Sequence, residues 1–186
     1  MSTRLQGTGE LPRALDVKAL PREGARHIEI EATSGERAAI AARLGILRLD
    51  SLTASLDAEP WERDGACIRG RYRAVLEQAC VVTLEPIAVS LDEPVEVYFE
   101  GRAGELPDGE GVVVLDPEAP DPPEPVPGTG VIEVGELVVQ LLAVALDPYP
   151  RKPGAAFAPA AGEASQPAAP ESPFAKLAAL KPRQKG

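Results

Sequence analysis

Three arginines at alternate positions, Arg69, Arg71 and Arg73, are the residues of this 186-residue chain whose spacing most directly suggests chemistry. In a strand, residues two apart project from one face about 6.6–7 Å apart. That separation approximates successive phosphates, and a guanidinium can grip phosphate through two parallel hydrogen bonds. The row is therefore a candidate RNA contact. The competing reading is a solvated strand face paired with neighbouring acids. Tyr72 has the opposite parity and is expected in the core.

Other reactive side chains offer less. His27, the single histidine, sits in an alternating stretch opposite Ile28 and Ile30 and reads as a solvent-facing strand residue. Asp92 and Glu93 could serve acid–base chemistry, but beside Pro94 they read as turn residues. Zinc requires about four suitably spaced ligands. Cys67, Cys80 and His27 do not supply such a set, so no metal and no cofactor is expected. The two thiols allow one bridge on spacing, but a reduced pair with Cys80 as a small buried strand residue fits better. No Gly-rich phosphate loop precedes a helix. These absences lead to the expectation of a protein that is not an enzyme and has no small-molecule substrate.

Composition limits the partners. The net charge is −10, and aromatics make up 4% of the chain. An aliphatic core with few stacking platforms follows, and a protein coated in nucleic acid is disfavoured. Eight acidic residues and one basic residue lie between Glu100 and Glu124. From Arg151 onward the balance reverses to six basic and two acidic. The longest strongly apolar run, Leu137–Leu146, is half the roughly 20 residues of a membrane span. No apolar stretch follows Met1, so a cytoplasmic location without membrane contact is expected.

The elements that must position these residues read as follows. A strand is expected near Arg13–Val17 and another over Ala25–Ala32. Thr33 with Glu36 forms a capping-box pattern before a helix at about 34–45, which Gly45 closes. Leu47 and Leu49 share one parity and Leu52, Ala54 and Leu56 the other, which predicts a β-bulge near Asp50 and Ser51. Pro60 and Trp61 mark a turn or strand start. A long strand is expected over Cys67–Thr83, ended by Leu84, Glu85 and Pro86. Further strands follow at Ile87–Leu91, then after an interruption at Pro94 over Val95–Glu100, and at Val112–Leu115. Residues 116–130, acidic and proline-rich, are expected to be disordered. A second helix is expected at about 132–146, with Glu133 and Glu136 in its first turn. Residues 156–186 read as a flexible tail with a short helical possibility at Phe174–Leu180 and a basic end.

Two blocks carry a family resemblance: QACVVTLEPIAVSLDEPVEVYFEG (78–101) and VIEVGELVVQLLAVALDPYPRKPGA (131–155). Their order, and the acidic segment between them, resemble the YceD family, particularly its alphaproteobacterial branch, over about residues 10–155. The FAKLAALK element of the tail is also similar to that branch. The matching positions are Cys80, Leu84, Glu85 and Pro86 in the first block. In the second they are Gly135, Glu136, Leu137 and Asp147, Pro148, Tyr149, Pro150, Arg151. Many members resemble Cys-x-Arg-Cys-Leu-Glu-Pro, whereas here Val82 and Thr83 occupy the Arg and second Cys positions. A metal or redox role for paired cysteines does not carry over. An Asp expected at the second helix start is Glu133, a poorer cap.

The resemblance implies a non-enzymatic role in accumulation or processing of 23S ribosomal RNA, with ribosomal RNA, a pre-ribosomal particle or basic ribosomal proteins as partners. The alternative is an acidic module that escorts a basic ribosomal protein without touching RNA. The expected fold is α+β: a twisted antiparallel sheet or partial barrel with two packed helices in a domain over residues 1–155.

Overall fold

A computed structural model describes residues 9–21, 23–62, 64–101 and 122–156. The fold is α+β, and the described residues form one five-stranded sheet, one two-stranded sheet and two α-helices. The strands are β1 (Ala14–Asp16), β2 (Arg26–Glu31), β3 (Arg48–Trp61), β4 (Gly65–Ala79), β5 (Pro86–Glu100), β6 (Glu124–Pro125) and β7 (Val131–Glu133). The helices are α1 (Ser34–Leu44) and α2 (Val134–Ala145). The large sheet has the order β2-β3-β4-β5-β6 and is not closed; β1 and β7 form the small one. Among the described residues all pairings are antiparallel except β5 with β6.

Local chemistry explains α1. The Thr33 hydroxyl accepts from the Glu36 amide, and the Glu36 carboxylate accepts from the Thr33 amide at 2.7 Å. Two otherwise orphaned helix donors are thereby satisfied. Arg13 binds the same carboxylate at 2.8 Å and ties the cap to β1's approach; it holds Glu36 below the usual carboxylate range. Gly45, at φ 66°, closes the helix in the left-handed conformation.

The register shift between Leu49 and Ser51 places the expected bulge at Asp50. It lets Leu49 and Leu52 both point into the core. That core is aliphatic and sits on one face of the large sheet, with Leu56, Ile68, Leu76, Val138 and Leu142 wholly buried. α2 is tied to this face by the Tyr72 hydroxyl, which donates to the Leu141 carbonyl at 3.3 Å.

Five boundaries differ from the sequence reading. Pro60 and Trp61 end β3 rather than begin a strand, and the following turn uses left-handed Glu62 and Asp64. β4 stops at Ala79, so Cys80–Thr83 leave the ladder; the Val81 amide donates to Pro150 instead. Pro94 does not interrupt β5, which pairs with β4 in one unbroken register, Pro94 opposite Arg71. A strand with a neighbour on one side tolerates a missing donor, and among the described residues β6 pairs with β5 only at Phe99 and Glu100, away from Pro94. Asp92 and Glu93 are accordingly strand residues. The second helix starts at Val134 because Val131–Glu133 pair with β1. Finally, residues 122–130 of the proline-rich stretch carry β6 and a turn in which the Gly130 carbonyl accepts from Val17. Residues 116–121, the Val112–Leu115 strand and the Phe174–Leu180 element lie outside the described residues. Among the described residues no helix is long and apolar enough to cross a membrane.

Candidate functional site: the arginine row and the joint between two motif blocks

Alternation along β4 brings Arg69, Arg71 and Arg73 onto the face of the sheet opposite the core, with side chains 51%, 54% and 70% exposed. The neighbouring strands supply acids in register. Arg69 Nε lies 3.2 Å from Glu96, and its Nη2 donates to the Tyr98 hydroxyl at 2.6 Å. Arg71 donates to the Asp92 carboxylate and carbonyl, both at 2.9 Å. Arg73 reaches the other Asp92 oxygen at 3.1 Å. The Arg71 and Arg73 guanidiniums hold Asp92 below its ordinary range. His27 completes the face, with Nδ1 2.8 Å from Asp57 and Nε2 2.5 Å from Glu29. The Asp57 bond first, then the Glu29 bond, raises its pKa. The three arginines are thus brought together as expected. Asp57, Asp92, Glu96, Glu29 and Glu31 on the same face outnumber them. Exposed pairs of this kind contribute about 0–1 kcal/mol each, so they neutralise the row more than they stabilise the sheet.

A second constellation forms where the sequence blocks meet. The Cys80–Glu85 turn closes on itself, Cys80 N donating to the Glu85 carbonyl and Leu84 N to the Cys80 carbonyl, each at 2.9 Å. The chain after α2 docks on it: Val81 N donates to the Pro150 carbonyl at 2.9 Å, Lys152 N to Cys80 Sγ at 3.4 Å, and Lys152 Nζ to Glu85 at 2.9 Å. Gln78 donates to the Asp147 carbonyl at 3.0 Å from beneath. Leu84 holds φ 60°, uncommon for a bulky side chain, and stands 77% exposed. Tyr149 is 72% exposed and Val81 45% exposed. Cys80, Leu84, Glu85 and Pro86 therefore share one site with Asp147–Arg151.

Gly135, Glu136 and Leu137 do not belong to it. Gly135 lies against Leu11, Leu137 is in the core, and Glu136 binds Arg43 at 2.6 Å. Glu133 makes no side-chain cap bond, as its type suggests, and its buried Oε2 has no hydrogen-bond partner among the described residues. Val81, Lys152 and Gln78 were not legible as site residues, because the turn that gathers them is closed by backbone bonds.

Both thiols are free and buried. Cys80 lies just past β4 rather than within a strand. The Lys152 amide, then the Thr83 hydroxyl and amide, pull its pKa down to about 6. Removal from water opposes that pull, and on Cys67 burial wins, pushing the thiol up. Ultraviolet titration should show one thiolate appearing near pH 6, and Cys80→Ala should abolish it. The folded value lies below that of an unfolded thiol, about 8.5. This group's stabilisation is therefore complete above the unfolded value and is lost as pH falls through about 6. The urea midpoint of the wild type relative to Cys80→Ala should rise over that window; a flat difference would contradict the assignment. Among the described residues no group of three or more His, Cys, Asp or Glu is placed to hold a metal.

No curated protein and no solved structure matches the chain. A family model described as "Large ribosomal RNA subunit accumulation protein YceD" matches residues 68–181, more than half of the chain, spanning both motif blocks and the turn that joins them. The chain belongs to the YceD family.

Proposed function

We propose that the protein is a non-enzymatic factor that promotes accumulation of large-subunit ribosomal RNA by binding a protein component of the assembling particle. The carrying observation is the joint of the two motif blocks, which presents Val81, Leu84 and Tyr149 to solvent on a hydrogen-bonded frame. A rigid turn displaying an aromatic and an aliphatic anchor suits a protein contact, where buried anchors dominate affinity. The acidity of the chain suits a basic partner, such as a ribosomal protein. The groups with catalytic potential support the same reading: His27, Asp57 and Glu29 pair with one another on an open, solvated face.

Direct RNA contact through Arg69, Arg71 and Arg73 is the second reading. It is favoured by Arg73, the most exposed of the three, which shares Asp92 with Arg71. Two variants separate the readings. Leu84→Asp with Tyr149→Asp should reduce co-sedimentation with large-subunit particles at least about tenfold and lower 23S RNA levels. Changing the three arginines to Ala should leave both within about twofold, because the row is already neutralised by its acids. The opposite pattern, lost association in the arginine variant and retention in the other, would transfer the function to the arginine row.

A further inference from the structure

Among the described residues β2 is an outer strand of the large sheet, and its ladder shows which of its backbone groups stay open. The Ala32 amide donates to the Leu52 carbonyl at 3.0 Å, in the register that sets Ile30 opposite Ala54 and Ile28 opposite Leu56. Bonded and non-bonded positions alternate along an antiparallel ladder. Arg26, Ile28 and Ile30 therefore turn their amides and carbonyls towards β3, and His27, Glu29 and Glu31 turn theirs outward. The Arg13 guanidinium donates to the outward Glu31 carbonyl at 3.3 Å. Among the described residues no group bonds the outward backbone of His27 or Glu29. These two residues also carry complementary side chains on the face opposite the core, 55% and 66% exposed. His27 lies 2.8 Å from Asp57, and Glu29 accepts from the Ser55 hydroxyl at 2.7 Å. Ile28, on the other face, is partly buried against the core.

We infer that β2 pairs antiparallel with β2 of a second copy about a twofold axis at Ile28, joining two sheets edge to edge. The contact involves none of the residues of the Cys80 joint. Backbone and charge together fix its register, since only outward-turned positions can exchange ladder bonds across the edge. Centring on Ile28 sets His27 against Glu29 of the second copy, and Glu29 against its His27. Each His27 then stands between Asp57 of its own chain and Glu29 of the other. Ile28 meets its own counterpart on the core face. Centring on His27 or on Glu29 instead sets like against like. Opposite charges directly across a sheet stabilise it and like charges destabilise it. A strand that is its own complement suits a second copy, the isologous contact of a twofold dimer. The net charge of −10 on each copy opposes approach, a repulsion largely screened beyond about 8 Å at about 0.15 M salt. The edge is only six residues long, so the dimer is a weak one, with a dissociation constant on the order of micromolar to millimolar.

Hydrogen exchange of the full-length protein at about 10 μM and about 1 mM reads the edge directly. The His27 and Glu29 amides should slow about fivefold or more at the higher concentration. Those of Ile28 and Ile30, bonded to β3 in either state, should not change. Sedimentation over the same range should show a monomer–dimer equilibrium. Two charge variants test the register. His27→Glu and Glu29→Lys should each weaken self-association about tenfold or more, with urea midpoints near that of the wild type. An equimolar mixture of the two should associate again, because acid then faces base at both positions across the axis. Unchanged exchange with monomeric sedimentation overturns the pairing, as does a dimer that both variants leave intact or a mixture that stays monomeric. Edge amides protected at every concentration would give the edge to another part of the same chain. Protection gained only with large-subunit particles would give it to a strand of a different protein. Either result overturns the pairing too.

Discussion

Gly135→Ala should lower the unfolding free energy by about 3 kcal/mol or more, seen as a large fall in the urea midpoint. Gly135 is in the first turn of α2, where the chain from Gly9 to Arg13 crosses the helix. A Cβ there would stand 1.8 Å from the Leu11 carbonyl oxygen, 2.9 Å from its carbon and 3.2 Å from Leu11 Cγ. The first two obstacles are backbone and cannot rotate away. Leu11 is 1% exposed, and the Gly135 amide donates to Arg13 at 3.2 Å. Relief would therefore pull the N-terminal segment from the helix and strain the β1–β7 pairing that precedes α2. Gly35 provides the control. It lies in the first turns of α1 with nothing within 4 Å of an added Cβ. Gly35→Ala should be neutral or stabilising by up to about 1 kcal/mol through lost unfolded-state freedom. A change below about 1 kcal/mol at Gly135 would mean that the Leu11 segment does not lie on α2.

Tyr72→Ala should cost about 3–5 kcal/mol. Tyr72 is 1% exposed, is centred on the core face of β4, and faces Ala54 on β3 and Glu93 on β5. Ala54 is small and Glu93 exposed, so neither can fill the space the ring would vacate. The cavity term therefore adds to the lost transfer free energy. Tyr72→Phe isolates the hydroxyl. It should cost about 0.5–1.5 kcal/mol, since the Leu141 carbonyl loses one donor while the ring keeps its packing. Burial also pushes the Tyr72 phenol up. Thermal or urea unfolding of the two variants checks the ordering; equal losses would mean that the hydroxyl, not the ring, holds α2 to the sheet.

These positions show what local pattern can reveal. Tyr72 in the core, opposite in parity to the arginines, follows from alternation, because successive strand residues must face opposite sides. The α1 boundaries follow from Thr33, Glu36 and Gly45, whose backbone bonds are local. The Asp50 bulge is visible because a parity change cannot occur in a regular strand without an extra residue. By contrast, Pro94 looks like a break when read alone. Its tolerance depends on β5 having only β4 beside it there among the described residues, which is a property of the sheet. Val131–Glu133 likewise joined the helical pattern until β1 supplied a partner. The motif blocks were legible as residues but not as a site. Gly135–Leu137 is given to packing, and only Asp147–Arg151 folds onto Cys80–Pro86.

The amino-acid sequence by itself determined the class of fold, the aliphatic core, the capped first helix, the arginine row and the family. Each of these rests on periodicity, on bonds spanning a few residues or on motif identity. Tertiary structure alone decided that the arginines are matched by Asp92 and Glu96, and that residues distant in sequence close around Cys80. Charge pairing across strands depends on register, and the Cys80 joint depends on the Lys152 amide and the Pro150 carbonyl, backbone groups that side-chain identity does not mark.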